Sequence, residues 1–304
     1  MSNSDHGGRP AAQADHPSSA WTLTLDRSGP GPLDPARFAA AMRDPAYPRA
    51  SAYDPAWVYR NLMGPNCLWL LEDLLARLPL APDMRVLDLG CGSALSSIFL
   101  ARELGVEVWA ADLWIDPTDN LARAREAGVA DRLFPLRAEA HALPFAHGFF
   151  DAIVSVDAYH YFGTDIRYLS YLAQFVKAGG RVGIAVPGNA IDPDEAPPTS
   201  RALFEELGAD WFAFRSADWW RRHFERTRGI AVEDAAMVDD GAALWNSHVE
   251  AVAAWRGTPK AEQFEGRLLS RPEGRELGFC RIVARREEGR TLLFGPGDFE
   301  TRIA

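Results

Sequence analysis

Between Arg85 and Ala284 the chain alternates short unbroken apolar runs with longer stretches in which apolar residues recur every three or four positions. The short runs read as strands buried on both faces, and the longer spacing reads as helices with one buried side. This pattern predicts strand one over Arg85–Leu89, a helix over Ala94–Leu104 and strand two over Val106–Ala111. A helix over Asp119–Glu126, stopping at Gly128, and a short third strand over Leu133–Arg137 follow. Phe150–Val156 is strand four, Tyr168–Val176 a helix, and Gly179-Gly180 turns the chain into strand five over Arg181–Val186. Ile230–Val238 and Leu277–Ala284 are strands six and seven. Repeated strand–helix alternation specifies an α/β fold with a doubly wound, mostly parallel sheet.

Upstream, Asp54-Pro55 opens a helix through Trp57, Val58, Leu62 and Met63, since proline suits a first helical turn. Gly64-Pro65 breaks it, and a second helix carries Leu68, Leu71, Leu74, Leu75 and Leu78 on one face. Residues 1–20 hold too little apolar surface to offset chain entropy, so residues 1–50 are expected as a partly disordered tail or arm. Residues 51–304 are expected as one domain. Two stretches interrupt its alternation, 187–228 and 239–276, and they hold Trp211, Trp219, Trp220, Trp245 and Trp255, five of the ten tryptophans. Segments leaving the C-terminal ends of parallel strands emerge on the edge where such sheets bind ligands. The two stretches are therefore expected as helical insertions over that edge, with most of their tryptophans packing the added helices and a minority lining a pocket.

Composition narrows the function classes. The chain has 47% hydrophobic and 24% charged residues, ordinary for a globular protein. No apolar run approaches the ~18 residues of a membrane span. The first residues lack a basic segment followed by an apolar core, so no signal peptide is expected and the location reads as cytoplasmic. A net charge of −10 disfavours nucleic acid, which is gripped by a basic face. Cys67, Cys91 and Cys280 are too far apart for a disulfide framework or a zinc site and read as buried thiols. His223 and His248 lack partners at ligand spacing, so no metal is expected.

Candidate chemistry concentrates in Val86-Leu87-Asp88-Leu89-Gly90-Cys91-Gly92-Ser93 and, twenty residues on, Val108-Trp109-Ala110-Ala111-Asp112. The glycines let backbone approach a ligand without Cβ atoms in the way. An acid ending the second strand can accept hydrogen bonds from ribose hydroxyls or cap the next helix. A dinucleotide site would want a third glycine where Leu95 stands. The Asp88 carboxylate would repel a pyrophosphate and favour a ligand carrying an ammonium group.

Asp88-Leu89-Gly90-Cys91-Gly92 resembles the first motif of class I S-adenosylmethionine-dependent methyltransferases, and further matches cover roughly residues 52–286. Asp112 matches the family's ribose-binding acid, and Ala138–Phe145 resembles its third motif, with Glu139 where Asp is commoner. Phe149–Ser155 resembles the fourth-strand motif and Lys177–Gly180 the loop before strand five. Met63-Gly64-Pro65-Asn66 and Ser155–Gly163 resemble a small-molecule branch related in pattern to cyclopropane-fatty-acid synthases. Ala94 stands at the place of a third glycine. The resemblance implies strand order 3-2-1-4-5-7-6 with strand seven antiparallel. It implies S-adenosylmethionine, leaving as S-adenosylhomocysteine, across the ends of strands one, two and four. The cofactor set it implies is Asp88, Gly90, Gly92, Asp112, Leu113, Glu139, Ala140 and Ser155, with Trp114 flanking adenine or packing the core.

The catalytic candidate is His160, just past strand four, where imidazole can take a proton from an attacking O–H, N–H or acidic C–H. A structural histidine is the competing reading. Asp157 would orient His160 or contact the acceptor; Tyr159 and Tyr161 would shape a pocket, and Tyr53 and Tyr59 form either a lid or core. The expected activity is in-line transfer of a methyl group to N, O or C of a small molecule. The alternatives are methylene transfer to an alkene, as in cyclopropane synthases, and a non-catalytic binding module. Methylation of nucleic acid would want an Asn-Pro-Pro-aromatic tetrad after strand four, which Ser155–His160 lacks.

Overall fold

The computed structural model describes residues 31–198, 200–201, 212–271 and 276–289. Its strands are β1 (Arg85–Leu89), β2 (Glu107–Asp112), β3 (Leu133–Arg137), β4 (Phe150–Val156), β5 (Val176–Asn189), β6 (Ile230–Met237) and β7 (Leu277–Arg286). They form one seven-stranded sheet in the order β3-β2-β1-β4-β5-β7-β6. β1 pairs in parallel with β2 and β4, β2 with β3, and β4 with β5. β7 runs antiparallel to both β5 and β6. Fold class and strand order are those expected.

β5 is longer than its apolar run. It begins at Val176, and Gly179-Gly180 lie inside it as an irregularity of the pairing with β4. Gly179 has φ +81, and a Cβ on Gly180 would sit 2.5 Å from the Asp151 carbonyl, so the glycine pair makes a bulge rather than a turn. At its far end β5 continues to Asn189 because β7 supplies partners as far as Leu277.

The helices are α1 (Pro35–Ala41), α2 (Pro55–Asn61), α3 (Cys67–Leu75), α4 (Leu95–Leu104), α5 (Pro117–Glu126), α6 (Tyr168–Leu172), α7 (Ala217–Glu225), α8 (Gly241–Arg256) and α9 (Phe264–Leu269). Side-chain caps start several of them as the sequence suggests. Asp54 accepts from the Trp57 N–H at 2.7 Å, and Asn66 from the Leu68 N–H at 3.2 Å. Alternating strand residues feed two cores. Val86, Val108 and Val154 face Leu71, Ile98, Tyr59 and Trp255 on one side of the sheet. Leu87, Leu89 and Ile153 face Leu172, Trp220 and Phe224 on the other.

Residues 31–50, expected within the tail, are folded: α1 buries Phe38 against Tyr59 and Trp255. The remaining part of the expected tail, 1–30, lies outside the described residues, as does Trp211. Trp220, Trp245 and Trp255 are core, which settles most of the insertion tryptophans as packing. The second insertion departs from a simple cap. α8 begins against β7, where Trp245 stacks on Phe279, and its last turn carries Trp255 onto Tyr59. No helix among the described residues is long and apolar enough to cross a membrane.

One buried ionic cluster ties three elements together. Arg281 on β7 donates through Nε to Asp234 on β6 at 2.7 Å and through Nη1 to Asp73 on α3 at 2.5 Å. Removing the cation leaves two mostly buried carboxylates facing each other. Arg281→Met is expected to lose about 3 kcal/mol of stability, read as a lower urea midpoint with an unchanged slope.

Candidate active site

The glycine loop is shaped by backbone that only small residues tolerate. Gly90 has φ +75 and Gly92 has φ +53, both left-handed. A Cβ on Gly90 would run into Ala158, and one on Gly92 would lie 2.7 Å from the Met63 sulfur. Gly90 is thus required twice, by conformation and by space, and Gly92 by conformation. Ala94, φ +60, takes a third left-handed position just before α4. There an L-residue with a Cβ is strained by roughly 1–2 kcal/mol.

The acids flank this loop. Asp112 accepts from the Gly92 N–H at 2.9 Å on Oδ2, and from the Trp114 and Ile115 N–H groups at 2.8 and 3.0 Å on Oδ1. A carboxylate has about four acceptor sites, so one on Oδ2 remains for a ligand hydroxyl. The alternative of Asp112 as a helix cap is not what the structure shows; Asp116 caps α5. Asp88 is fully buried beneath the loop. Its Oδ2 accepts from the Ser96 and Ser97 hydroxyls, both at 2.6 Å, and its Oδ1 has no partner. Burial pushes its carboxyl up to about 6 against the lowering effect of the two serines. An orphaned, desolvated anion beneath a cradle closed to Cβ atoms suits a ligand that brings a positive charge. Asp88 is sealed from solvent, so it acts on such a ligand through its field rather than by open contact.

The other expected cofactor positions divide. Leu113 and Trp114 are exposed beside Asp112, so Trp114 is not core. Glu139 is exposed, and its carboxylate accepts from the His141 N–H at 2.9 Å and lies 2.8 Å from His141 Nδ1. The Ala140 carbonyl accepts from the Tyr168 hydroxyl at 3.1 Å. The buried Ser155 hydroxyl donates to the Leu89 carbonyl at 2.7 Å and joins β4 to the end of β1, so its one donor is spent within the sheet. Asn120 on α5 was not expected. It is buried, and its Nδ2 donates to the Gly92 carbonyl at 2.9 Å. Arg123 bridges Asn120 and Asn61 at 2.8 and 2.9 Å, tying α2 to the same loop. Only a polar residue on the inner face of an amphipathic helix hinted at it.

Past β4 the expected pair does not form. Asp157 has φ +56, is half-buried, and its Oδ2 would lie 2.5 Å from a Cβ on Gly64. Desolvation raises its carboxyl to about 7. His160 is buried, its Nδ1 has no partner, and burial lowers it to about 3. No hydrogen bond joins Asp157 to His160 among the described residues, so the expected orientation of one by the other is absent. The His160 ring lies 4.0 Å from the Tyr161 ring and 5.6 Å from the Phe214 ring, centroid to centroid. Tyr159 is buried among Trp220, Tyr168 and Phe224, while Tyr161 is exposed. Tyr59 is core and Tyr53 stacks near Phe99 with its hydroxyl on Glu103, so neither is a lid. No cluster of three or more His, Cys, Asp or Glu side chains fit for a metal occurs among the described residues.

Residues 86–180 match the family described as a methyltransferase domain. The 27-O-demethylrifamycin SV methyltransferase of Amycolatopsis mediterranei (strain S699) is 27% identical over 229 residues, 72% of this chain and 83% of that protein. The fold matches geranyl diphosphate C-methyltransferase from Streptomyces coelicolor A3(2), solved with Mg2+, geranyl diphosphate and S-adenosyl-L-homocysteine. That match has TM-score 0.59 and 20% identity and covers 84% of this chain and 90% of that one. It also matches the [4+2]-cyclase SpnF, with TM-score 0.52, 19% identity and coverage of 72% and 80%.

Two outcomes are expected. Ala94→Gly relieves the left-handed strain, partly offset by greater unfolded-chain entropy, and should add about 0.5–1 kcal/mol, seen as a rise of about 2 °C in melting temperature. Asp88→Asn should weaken S-adenosylhomocysteine about tenfold near pH 7.5, as calorimetry reads it. The wild-type protein should lose affinity as Asp88 takes a proton through about pH 6, and the variant should lose that dependence.

Proposed function

We propose that the chain is a class I S-adenosylmethionine-dependent methyltransferase that methylates a small-molecule acceptor at N, O or C, with Asp157 taking the acceptor's proton. The observation that carries the cofactor reading is the glycine loop: two left-handed glycines, Gly90 with no room for a Cβ, set between the orphaned Asp88 carboxylate and Asp112.

When bound, S-adenosylmethionine supplies a methyl carbon whose bond to sulfur breaks as the bond to the acceptor forms, the electron pair leaving with a neutral thioether. No residue is therefore needed to protonate the leaving side. Gly90 and Gly92 present bare backbone, and Asp112 keeps one acceptor site for a ribose hydroxyl. Leu113, Trp114, Glu139 and Ala140 would hold the nucleobase. Asp157 stands just past β4, its desolvated carboxylate without a hydrogen bond among the described residues, so it has proton affinity matched to neutral pH. His160 stays neutral across the physiological range and serves as a fixed wall beside Tyr161. Alignment of reactants supplies ~7–11 kcal/mol in such a site, and a base adds roughly 10²–10⁴-fold.

The related rifamycin enzyme supports a small-molecule acceptor, and the net charge of −10 supports it over nucleic acid. Three cysteines without a disulfide support a reducing, cytoplasmic setting.

Methyl-labelled cofactor and an acceptor panel test the assignment. Asp157→Asn is expected to lower turnover about a hundredfold or more, with S-adenosylhomocysteine affinity nearly unchanged. The wild-type rate should rise with pH through about 7, where Asp157 ionises, and the variant should lose that limb. His160→Ala should cost only about tenfold. A greater loss at His160 than at Asp157 would give the proton to the imidazole instead.

A further inference from the structure

The C-terminal edge of the sheet carries an apolar rim that no packing requirement explains. Met63, Leu113, Trp114, Tyr161, Ile191 and Phe212 are 50, 44, 66, 53, 36 and 60% exposed, although each lies beside buried neighbours of the site. Contacts and short steps along the chain link them. Met63 lies over Gly92, whose N–H shares the Asp112 carboxylate with that of Trp114. Gly64, next to Met63, abuts Asp157. Tyr161 packs on His160, and His160 packs on Phe214, two residues from Phe212. The Phe214 carbonyl accepts from the Asn189 side chain at the end of β5, two residues before Ile191. The arc thus runs from the cofactor loop past Asp157 to the first insertion.

Charges along the insertion side of the arc are engaged. Arg215 Nη1 is held by Asp192 at 2.9 Å and Asp194 at 2.7 Å, and its guanidinium lies over the Trp219 ring. Arg201 donates to the Asp194 carbonyl at 3.0 Å, and Arg167 has partners of its own. A phosphate- or carboxylate-bearing acceptor needs a committed cationic fork, because leaving its charge unpaired in such a place is costly. Exposed aromatic and aliphatic side chains gathered at a reaction site instead match an apolar ligand.

We propose that the acceptor is a bulky, uncharged, largely apolar molecule that lies on the part of this arc beyond β4, against Tyr161, Ile191 and Phe212, and presents one protonated heteroatom to Asp157. The proposal rests on the methyltransferase reading and names the substrate class of that site. Tyr161 and Phe212 determine specificity: each offers a large apolar face at low conformational cost.

N-phenyl-1-naphthylamine, a neutral apolar fluorophore, tests this on the full chain saturated with S-adenosylhomocysteine. A saturable fluorescence gain is expected, weakened tenfold or more in Tyr161→Ser/Phe212→Ser, and untouched by inorganic pyrophosphate. Tyr161→Ser alone, on an exposed side chain, should weaken it severalfold if the double variant does not fold. The proposal is overturned by a gain that does not saturate, by equal binding to the variants, or by saturable pyrophosphate binding. Sedimentation with phosphatidylcholine vesicles, without saturable probe binding, would overturn it in favour of a lipid surface. Calorimetry separates the two readings. No S-adenosylhomocysteine binding sinks the methyltransferase assignment itself, whereas intact binding with no probe site sinks only the acceptor class.

Discussion

A chain that must turn twice through left-handed backbone within a few residues, in a space closed at Gly90 to any Cβ, dictates most of this site. Gly90 and Gly92 satisfy the turn, but glycine alone leaves a loop free to sample many conformations. The surroundings remove that freedom. The Ala111 carbonyl accepts from the Gly90 and Cys91 N–H groups, Asp112 from the Gly92 N–H, and Asn120 donates to the Gly92 carbonyl. Asn120 is steadied in turn by Arg123, which reaches Asn61 on α2. The loop is therefore rigid through groups drawn from β2, α5 and α2. Preorganisation of this kind reduces the ordering cost of binding.

Two desolvated acids on the same edge behave differently because their remaining partners differ. Asp88 spends one oxygen on two serine hydroxyls, which holds its rise to about 6 despite complete burial. Asp157 has no such donors, and desolvation alone takes it to about 7. The first remains an anion at neutral pH and suits charge complementarity. The second sits near the midpoint of its titration, where a group both accepts and returns a proton with little driving force. Its left-handed φ keeps it where Gly64 leaves room.

The parts of the fold legible in the sequence were those where one local signal decides. β1, β3 and β4 begin and end where their apolar runs do. The proline after Asp54 marks a helix start that the cap geometry repeats. Signals failed where two elements had to be known together. Gly179-Gly180 looks like a turn until β4 is laid beside it, and nothing local to Ser155 announces that its hydroxyl donates to the Leu89 carbonyl across the sheet. Asp157 and His160 stand three residues apart and read as a pair, yet the left-handed backbone at Asp157 sends the carboxylate to Gly64 and leaves the imidazole buried. Sequence spacing cannot report such a divergence, because it depends on one dihedral angle.

The likeness in fold to both a methyltransferase and a [4+2]-cyclase shows how little the sheet alone says about chemistry. What distinguishes one catalyst from another lies in the segments that leave the strand ends. Here the half of the sheet around β1 and β2 contributes backbone and acids, a polar surface suited to a nucleoside with a charged tail. The half beyond β4 contributes aromatic rings, an imidazole kept neutral and one solitary carboxylate. On the proposed reading, a division of this kind would let the acceptor side change without disturbing the cofactor side. The two are joined at Met63-Gly64, one residue against Gly92 and the next against Asp157.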